Sequence, residues 1–350
     1  MQLPLNEIAL FMTDFLALFG VYLIVTISLN IQRGLAGIPQ FGLMFAIAGG
    51  AYITGNMATR IAVWILGIKT DLDPVIDCTA VLSMVNPMLN TQPMTSFILI
   101  LIYLAIGATF GAVLGLIQVA PAIRLREDYL AITLLAFAEI INVIATAYKP
   151  LLGGAFGVQV PSVYGWAGGY RYGVATLAIL VIAAISYLYA EYLERTPLGR
   201  TLKAIRENEV AAASLGKSLV KYRAIAIVIG SALCGMAGTL WTLYGEYVTP
   251  TYTRFYWTFL PWLMVLLGGI GSNRGALLGT AIFVALDKLI IYYKHSFEAF
   301  LPFDVVWLDY ILLGIITAII LIYRPQGLLP ERPYIPKDIR KRIEEKIKQF

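Results

Sequence analysis

The chain is 350 residues long, 59% hydrophobic and only 13% charged, with a mean hydropathy of +0.78. That balance excludes an ordinary soluble domain, and apolar runs near the roughly 20 residues needed to cross a bilayer recur along the whole length. A net charge of +5 suits a nucleic-acid binder when the protein is soluble, but here the basic residues gather in a few loops between apolar runs, which reports membrane orientation and excludes nucleic acid as a partner.

In chain order, the apolar runs predict spans near 8–29, 35–68, 97–120, 129–148, 174–193, 223–244, 257–271, 276–293 and 308–323. The fold class is therefore an all-α polytopic transmembrane bundle of about nine spans, eight to ten being compatible with the pattern. Continuous apolar stretches such as 97–103 lack the alternation of a lipid-facing strand, so a β-barrel is excluded. The N-terminus lacks the basic start and small-residue cleavage site of a signal peptide, and the first run is expected to stay as a span. Cys78 lies in a polar loop and Cys234 in an apolar run; neither a disulfide nor a metal spacing follows. His295, after Tyr292, Tyr293 and Lys294, reads as an interfacial anchor rather than a metal ligand.

The second run is too long for one helix and too short for two, because Arg60 and Lys69 interrupt it. It is expected to be kinked or broken near its start, where Gly34, Gly37, Pro39, Gln40 and Gly42 follow one another. Irregular backbone at membrane depth survives only when buried in protein or lining a wet cavity. Gly37, Pro39, Gln40 and Gly42 are therefore candidates for a translocation path, with helix packing as the alternative. Gly268 and Gly269, late in another apolar run, join them. Glu139 and Asn142, at i and i+3 in mid-helix, are expected to point inward, to the path or to a polar helix contact, since a mid-membrane carboxylate is costly without a role. The alternative is a neutral glutamate at a packed interface. The series Gly107, Gly111, Gly115 and the series Gly271, Gly275, Gly279 read as close helix packing, within the bundle or against a second subunit.

Charge gives the orientation. The segment 194–223 carries Arg195, Arg200, Lys203, Arg206, Lys217, Lys221 and Arg223 against three glutamates, and the tail after Tyr323 is also strongly basic. Both should be cytoplasmic, with the turn 272–275 beside them. The acidic loops 70–96 and 295–307 fall on the outer side, and the side of the N-terminus stays open. Residues 1–323 are read as the membrane domain, with a cytoplasmic loop at 194–222, and 324–350 as a basic cytoplasmic tail. The protein should sit in the inner membrane.

Gly216, Lys217 and Ser218 imitate the end of a phosphate-binding loop, but Ala211 stands where a glycine is required and no strand precedes them. No catalytic or metal-binding cluster stands out, so hydrolytic and redox chemistry are not expected of this chain. The stretch Thr201 to Leu215 instead favours a short helix ended by Gly216, lying at the cytoplasmic surface. Ala211, Ala212 and Ala213 would let it seat closely in a groove of another protein, and Arg206, Glu207 and Glu209 could orient it by ion pairs. A solvated loop helix is the alternative.

The string Thr196-Pro-Leu-Gly-Arg-Thr-Leu-Lys-Ala-Ile-Arg206-Glu207-Asn208-Glu209, followed by Val-Ala211-Ala212-Ala-Ser-Leu-Gly216, resembles the loop by which permeases of ABC importers dock on their ATPases, in the form found in the branched-chain amino acid permease family. Gly34 through Tyr52, Val265 through Ser272 with Gly275, and Arg324-Pro-Gln-Gly-Leu328 are similar to further segments of that family. Arg124 through Ile140 resembles its M-type subunit. The resemblance implies a permease that pairs with an H-type second permease, receives substrate from an extracytoplasmic binding protein and is driven by two cytoplasmic ATPases. It implies that ATP and Mg belong to those ATPases, that this chain binds no cofactor, and that the segment Arg206 to Gly216 is the coupling helix. Leucine, isoleucine and valine are the implied substrates, with urea, amides or other amino acids as alternatives. An ion-coupled secondary transporter is the rival from another class. The loops 71–92 and 246–256, the latter with Arg254, depart from the family pattern.

Overall fold

The computed structural model describes residues 5–125, 127–250, 256–292 and 322–331, together with positions 311, 314, 315, 318 and 319. His295, Arg254, the acidic segment 295–307, most of the ninth expected span and the tail beyond Glu331 lie outside the described residues. The described chain is a helical bundle. Its helices are α1 (Leu5–Leu29), α2 (Leu43–Leu66), α3 (Cys78–Thr91), α4 (Pro93–Arg124), α5 (Glu127–Ala147), α6 (Lys149–Leu152), α7 (Arg171–Arg195), α8 (Pro197–Glu207), α9 (Glu209–Ser214), α10 (Leu219–Gly245), α11 (Tyr256–Gly268) and α12 (Asn273–Tyr292). Two two-residue strands, β1 (Val158–Gln159) and β2 (Tyr247–Val248), pair antiparallel. Five of the described helical segments, 10–35, 93–124, 128–147, 165–195 and 219–245, are long and apolar enough to cross a membrane.

The centre of the bundle is α10, packed against α4, α2 and α1. The α4 contact follows from small residues at four-residue spacing. A Cβ at Gly107, Gly111 or Gly115 would fall on α10 at Thr239, Gly235 or Ser231, and one at Gly235 would fall on the Gly107 carbonyl. Backbones at that range gain dispersion contact that larger side chains would prevent. The first glycine series thus packs inside this chain. Gly271, Gly275 and Gly279 join the turn between α11 and α12, where Gly279 meets the Met264 carbonyl.

The break in the second run falls among its glycines: α1 continues through a π-helical turn, Asn30–Leu35, and residues 36–42, with Gly37, Pro39, Gln40 and Gly42, are irregular before α2 begins. Two expectations are revised. The acidic loop 70–96 contains a helix, α3, whose Val81, Val85 and Leu89 are buried against α2, α4 and residues 160–164. The loop helix between α7 and α10 is two helices, because Asn208 adopts an extended backbone (φ −156°, ψ 104°) between them.

The ends of the bundle sort as the charge pattern predicts. Segments 30–42, 195–218, 269–275 and 324–331 meet at one end through contacts of Gly34 with Gly271 and of Arg206 with Gly34 and Glu331. At the other end Asn86 accepts from the Ser162 amide, and Ser162 donates to Glu246. Since α1 reaches the first end at Leu35, its Leu5 end lies at the second.

Candidate coupling site

The loop leaves α7 at Arg195. Thr196 is extended, its hydroxyl accepts from the Gly199 amide at 3.3 Å, and Pro197 opens α8 where its missing N–H costs nothing. Helix α8 is amphipathic: Gly199, Leu202 and Ile205 are buried, and Gly199 sits against the backbone of Leu193 and Glu194. Asn208 then caps α9 by accepting from the Ala211 amide at 3.0 Å. Gly216 ends the pair with a left-handed backbone (φ +76°) that most side chains resist.

The charged residues expected to face a partner are engaged within the chain. Lys203 donates to Glu194 and to Glu331, both at 2.7 Å. Arg206 reaches Glu331 and Glu207, both at 2.8 Å, and also the carbonyl of Gly34 at the end of the π turn. Glu209 pairs with Arg223. Burial works against the charges of Lys203 and Arg206, but hydrogen bonds to their carboxylate partners outweigh it and leave both pKa values raised. Asn273 donates to Glu194 at 3.1 Å, Asn30 donates to Asn273 at 2.8 Å, and the Gly271 amide donates to Asn30 at 2.9 Å. A ring of polar contacts therefore joins α8 to the end of α1, to the α11–α12 turn and to the segment after Tyr323. That last segment is itself fixed by the Leu328 and Leu329 amides, which donate to the carbonyls of Leu267 and Gly268 at 3.0 and 2.8 Å.

Ala212 is buried in this chain, whereas Ala211 and Ala213 are exposed. The apolar side chains offered outward are Val210 and Leu215, 77% and 80% exposed. Sequence reasoning passed over both, although two large aliphatic residues in a polar loop were the available signal. The expected docking face is corrected accordingly: Ala212 faces inward, and Val210, Ala211 and Leu215 face out.

The candidates for a path divide. Gln40 is buried and satisfied: its amide donates to Gln32 at 2.7 Å and to Gln118 at 2.8 Å, and its oxygen accepts from the Gly42 amide at 3.1 Å. Gln118 donates to the Gly42 carbonyl at 2.8 Å, and the Trp262 indole donates to that of Gln40 at 2.9 Å. Gln40 and Gly42 are thus parts of a brace that satisfies irregular backbone inside the bundle. Gly37 and Pro39 line a cavity of about 430 Å³ with Asp128, Glu209 and Arg223, at the end that carries the loop. Gly268 and Gly269 are packed against Gly275 and the Gln326 and Leu329 carbonyls, with no open space beside them. Glu139 does not point into this chain: it is on the exposed face of α5 and accepts from Asn142 at 3.3 Å.

Residues 11–321 match the family described as "Branched-chain amino acid transport system / permease component". A Methanocaldococcus jannaschii protein named a probable branched-chain amino acid transport permease protein LivM is 38% identical over 331 residues, covering 93% of this chain and 95% of that protein. The chain belongs to this permease family. A high-affinity branched-chain amino acid transport system permease protein LivM of Escherichia coli is 28% identical over 342 residues, covering 91% of the chain and 69% of its own length. A second M. jannaschii permease, named LivH, is 28% identical over 210 residues, 55% of the chain and 64% of its own length. The far greater coverage by LivM proteins places the chain with the M-type permeases, as the segment from Arg124 to Ile140 suggested. Of that segment, Arg126 lies outside the described residues and the rest leads into α5, whose exposed face sets the carboxylate of Glu139 among Ile132, Ile140, Val143 and Ile144.

Proposed function

We propose that this chain is the M-type membrane subunit of an ATP-driven ABC importer that carries leucine, isoleucine or valine inward across the cytoplasmic membrane, with residues 194–222 and the C-terminal segment on the cytoplasmic side. One observation carries the reading: α8 and α9 are fixed to the bundle by the Lys203, Arg206 and Glu331 contacts, while Val210 and Leu215 project from them uncovered. A loop so held from behind and apolar in front transmits a push from a docked protein to the bundle. ATPase subunits are the partners it suits, and they would hold ATP and Mg. An extracytoplasmic binding protein would deliver substrate at the end formed by α3, residues 148–170 and β2.

Glu139 and Asn142 support a second permease, of H type, across α5, since a carboxylate exposed in mid-helix needs a wet or protein surface opposite rather than lipid. This chain hydrolyses nothing itself in this scheme. The test is uptake of radiolabelled leucine by liposomes holding the full complex, with ATP and with an ATPase-deficient nucleotide subunit. Uptake that needs ATP hydrolysis supports the reading; uptake by this chain alone under a proton or sodium gradient would replace it with ion-coupled transport.

A further inference from the structure

Two exposed helix faces differ by one charge. On α5 Glu139 stands among the exposed Ile132, Ile140, Val143 and Ile144, whereas on α7 the face runs Leu177, Val181, Ile185 and Leu188 with no charge between Arg171 and Glu191. A helix face of that composition is suited to hydrocarbon. It ends, next to α8, at Tyr192 and Arg195, where a cavity of about 420 Å³ is lined by Tyr187, Leu188, Glu191, Tyr192, Arg195 and Arg274. Arg274 comes from the α11–α12 turn, so the cavity lies between two elements rather than on one. Glu191 pairs with Arg195 at 3.5 Å, and Arg274 and Glu191 both lie near the Tyr187 hydroxyl. Arg274 has no carboxylate within ion-pair distance among the described residues.

We propose that this cavity binds the phosphodiester headgroup of a monoanionic phospholipid in the leaflet nearest the coupling loop, its acyl chains lying along the Leu188, Ile185 and Val181 face. Two guanidinium groups and one carboxylate leave the cavity one positive charge, which matches one phosphodiester and disfavours a more heavily charged group. Arginine supplies a planar fork that takes two phosphate oxygens together. The tyrosines sit where aromatic rings span the boundary between headgroups and hydrocarbon. Basic pockets between helices on the cytoplasmic side recognise anionic headgroups in this way. Because Arg274 belongs to the turn that carries Asn273 and Gly271, the lipid would bear directly on the polar ring at the coupling end.

The test uses the full-length chain, delipidated in neutral detergent and offered nanodisc lipids of phosphatidylglycerol or phosphatidylcholine, with retained lipid counted by native mass spectrometry. Wild type is expected to retain phosphatidylglycerol about tenfold better. Arg195→Gln, whose side chain is 78% exposed and supports no packing, and Arg274→Gln should each lower that preference, and together abolish it. Lys217→Gln, an equal charge loss at the same end outside the cavity, should leave it unchanged. A benzophenone amino acid at Tyr192 should cross-link to lipid in membranes holding the whole complex. Equal retention of both lipids, unchanged preference in the double variant, full competition by inorganic phosphate, or cross-linking of position 192 to a polypeptide would each overturn the proposal. None of these readouts requires transport, so they stand apart from the importer reading.

Discussion

Replacing Glu331 by alanine removes the group that holds both Lys203 and Arg206 to the segment after Tyr323. The three side chains are about one-fifth exposed (20%, 21% and 22%), so the contacts lie between the surface and buried limits. Lys203 keeps Glu194, and Arg206 keeps Glu207 and the Gly34 carbonyl, so no cation is stranded. Each lost charge-assisted hydrogen bond is then worth about 1 kcal/mol, and the pair about 2 kcal/mol. That is roughly a 30-fold rise in the population of the detached segment. The Leu328 and Leu329 amides, which donate to Leu267 and Gly268, report it directly: their hydrogen exchange should quicken by about the same factor, while amides within α4 and α10 hold their rates. In the reconstituted complex, leucine carried per ATP hydrolysed should fall, with ATPase binding intact. If exchange at 328 and 329 changes less than about threefold, Glu331 does not fasten the segment and the ring is only a cluster of adjacent charges.

Six other substitutions probe separate parts. Val210→Glu and Leu215→Glu should each weaken co-purification of ATPase subunits by tenfold or so, the loss of a buried aliphatic contact being about 1.5 to 3 kcal/mol, with the subunit's own thermal stability unchanged because both side chains are exposed. Gln118→Leu leaves the Gly42 carbonyl with the Phe45 amide alone as donor and takes from Gln40 one of its two acceptors; a cost of about 1 kcal/mol should appear as a lower melting temperature in detergent. Gly111→Leu drives a side chain into the backbone of Ser231 and Gly235 and should destabilise the chain by about 3 kcal/mol or more, whereas Gly169→Ala, which meets nothing within 4 Å, should be silent in the same melt. Glu139→Gln should slow leucine uptake while pull-down of the second permease stays normal; unchanged uptake would show that this carboxylate takes no part in transport.

The helical class, the packing role of Gly107, Gly111 and Gly115 and the grouping of loops by end were legible because each rests on local composition or on charge bias. The family was legible from the long string 196–216. The break after α1 was legible in Gly37, Pro39 and Gly42, but the π turn at Asn30–Leu35 that leads into it was not, because no residue preference announces it. Ala211 and Ala212 are chemically identical, and only the angle set by Asn208 turns one out and the other in. Gln40 read as a path residue because a buried amide and a wall-lining amide look alike until Gln32 and Gln118 supply its partners. The destination of Arg206 was hidden by distance along the chain: its carboxylate partner is 125 positions away.

That separation has a consequence for biogenesis. Lys203 and Arg206 leave the ribosome well before Glu331, which follows every span described here, so two of the anchors of α8 become available only after the bundle has been threaded. A chain interrupted before residue 331 would insert and fold most of its membrane core yet present α8 and α9 loosely. The segment that closes the ring thus acts as a completion signal: the docking surface becomes firm last, when the rest of the subunit is already made.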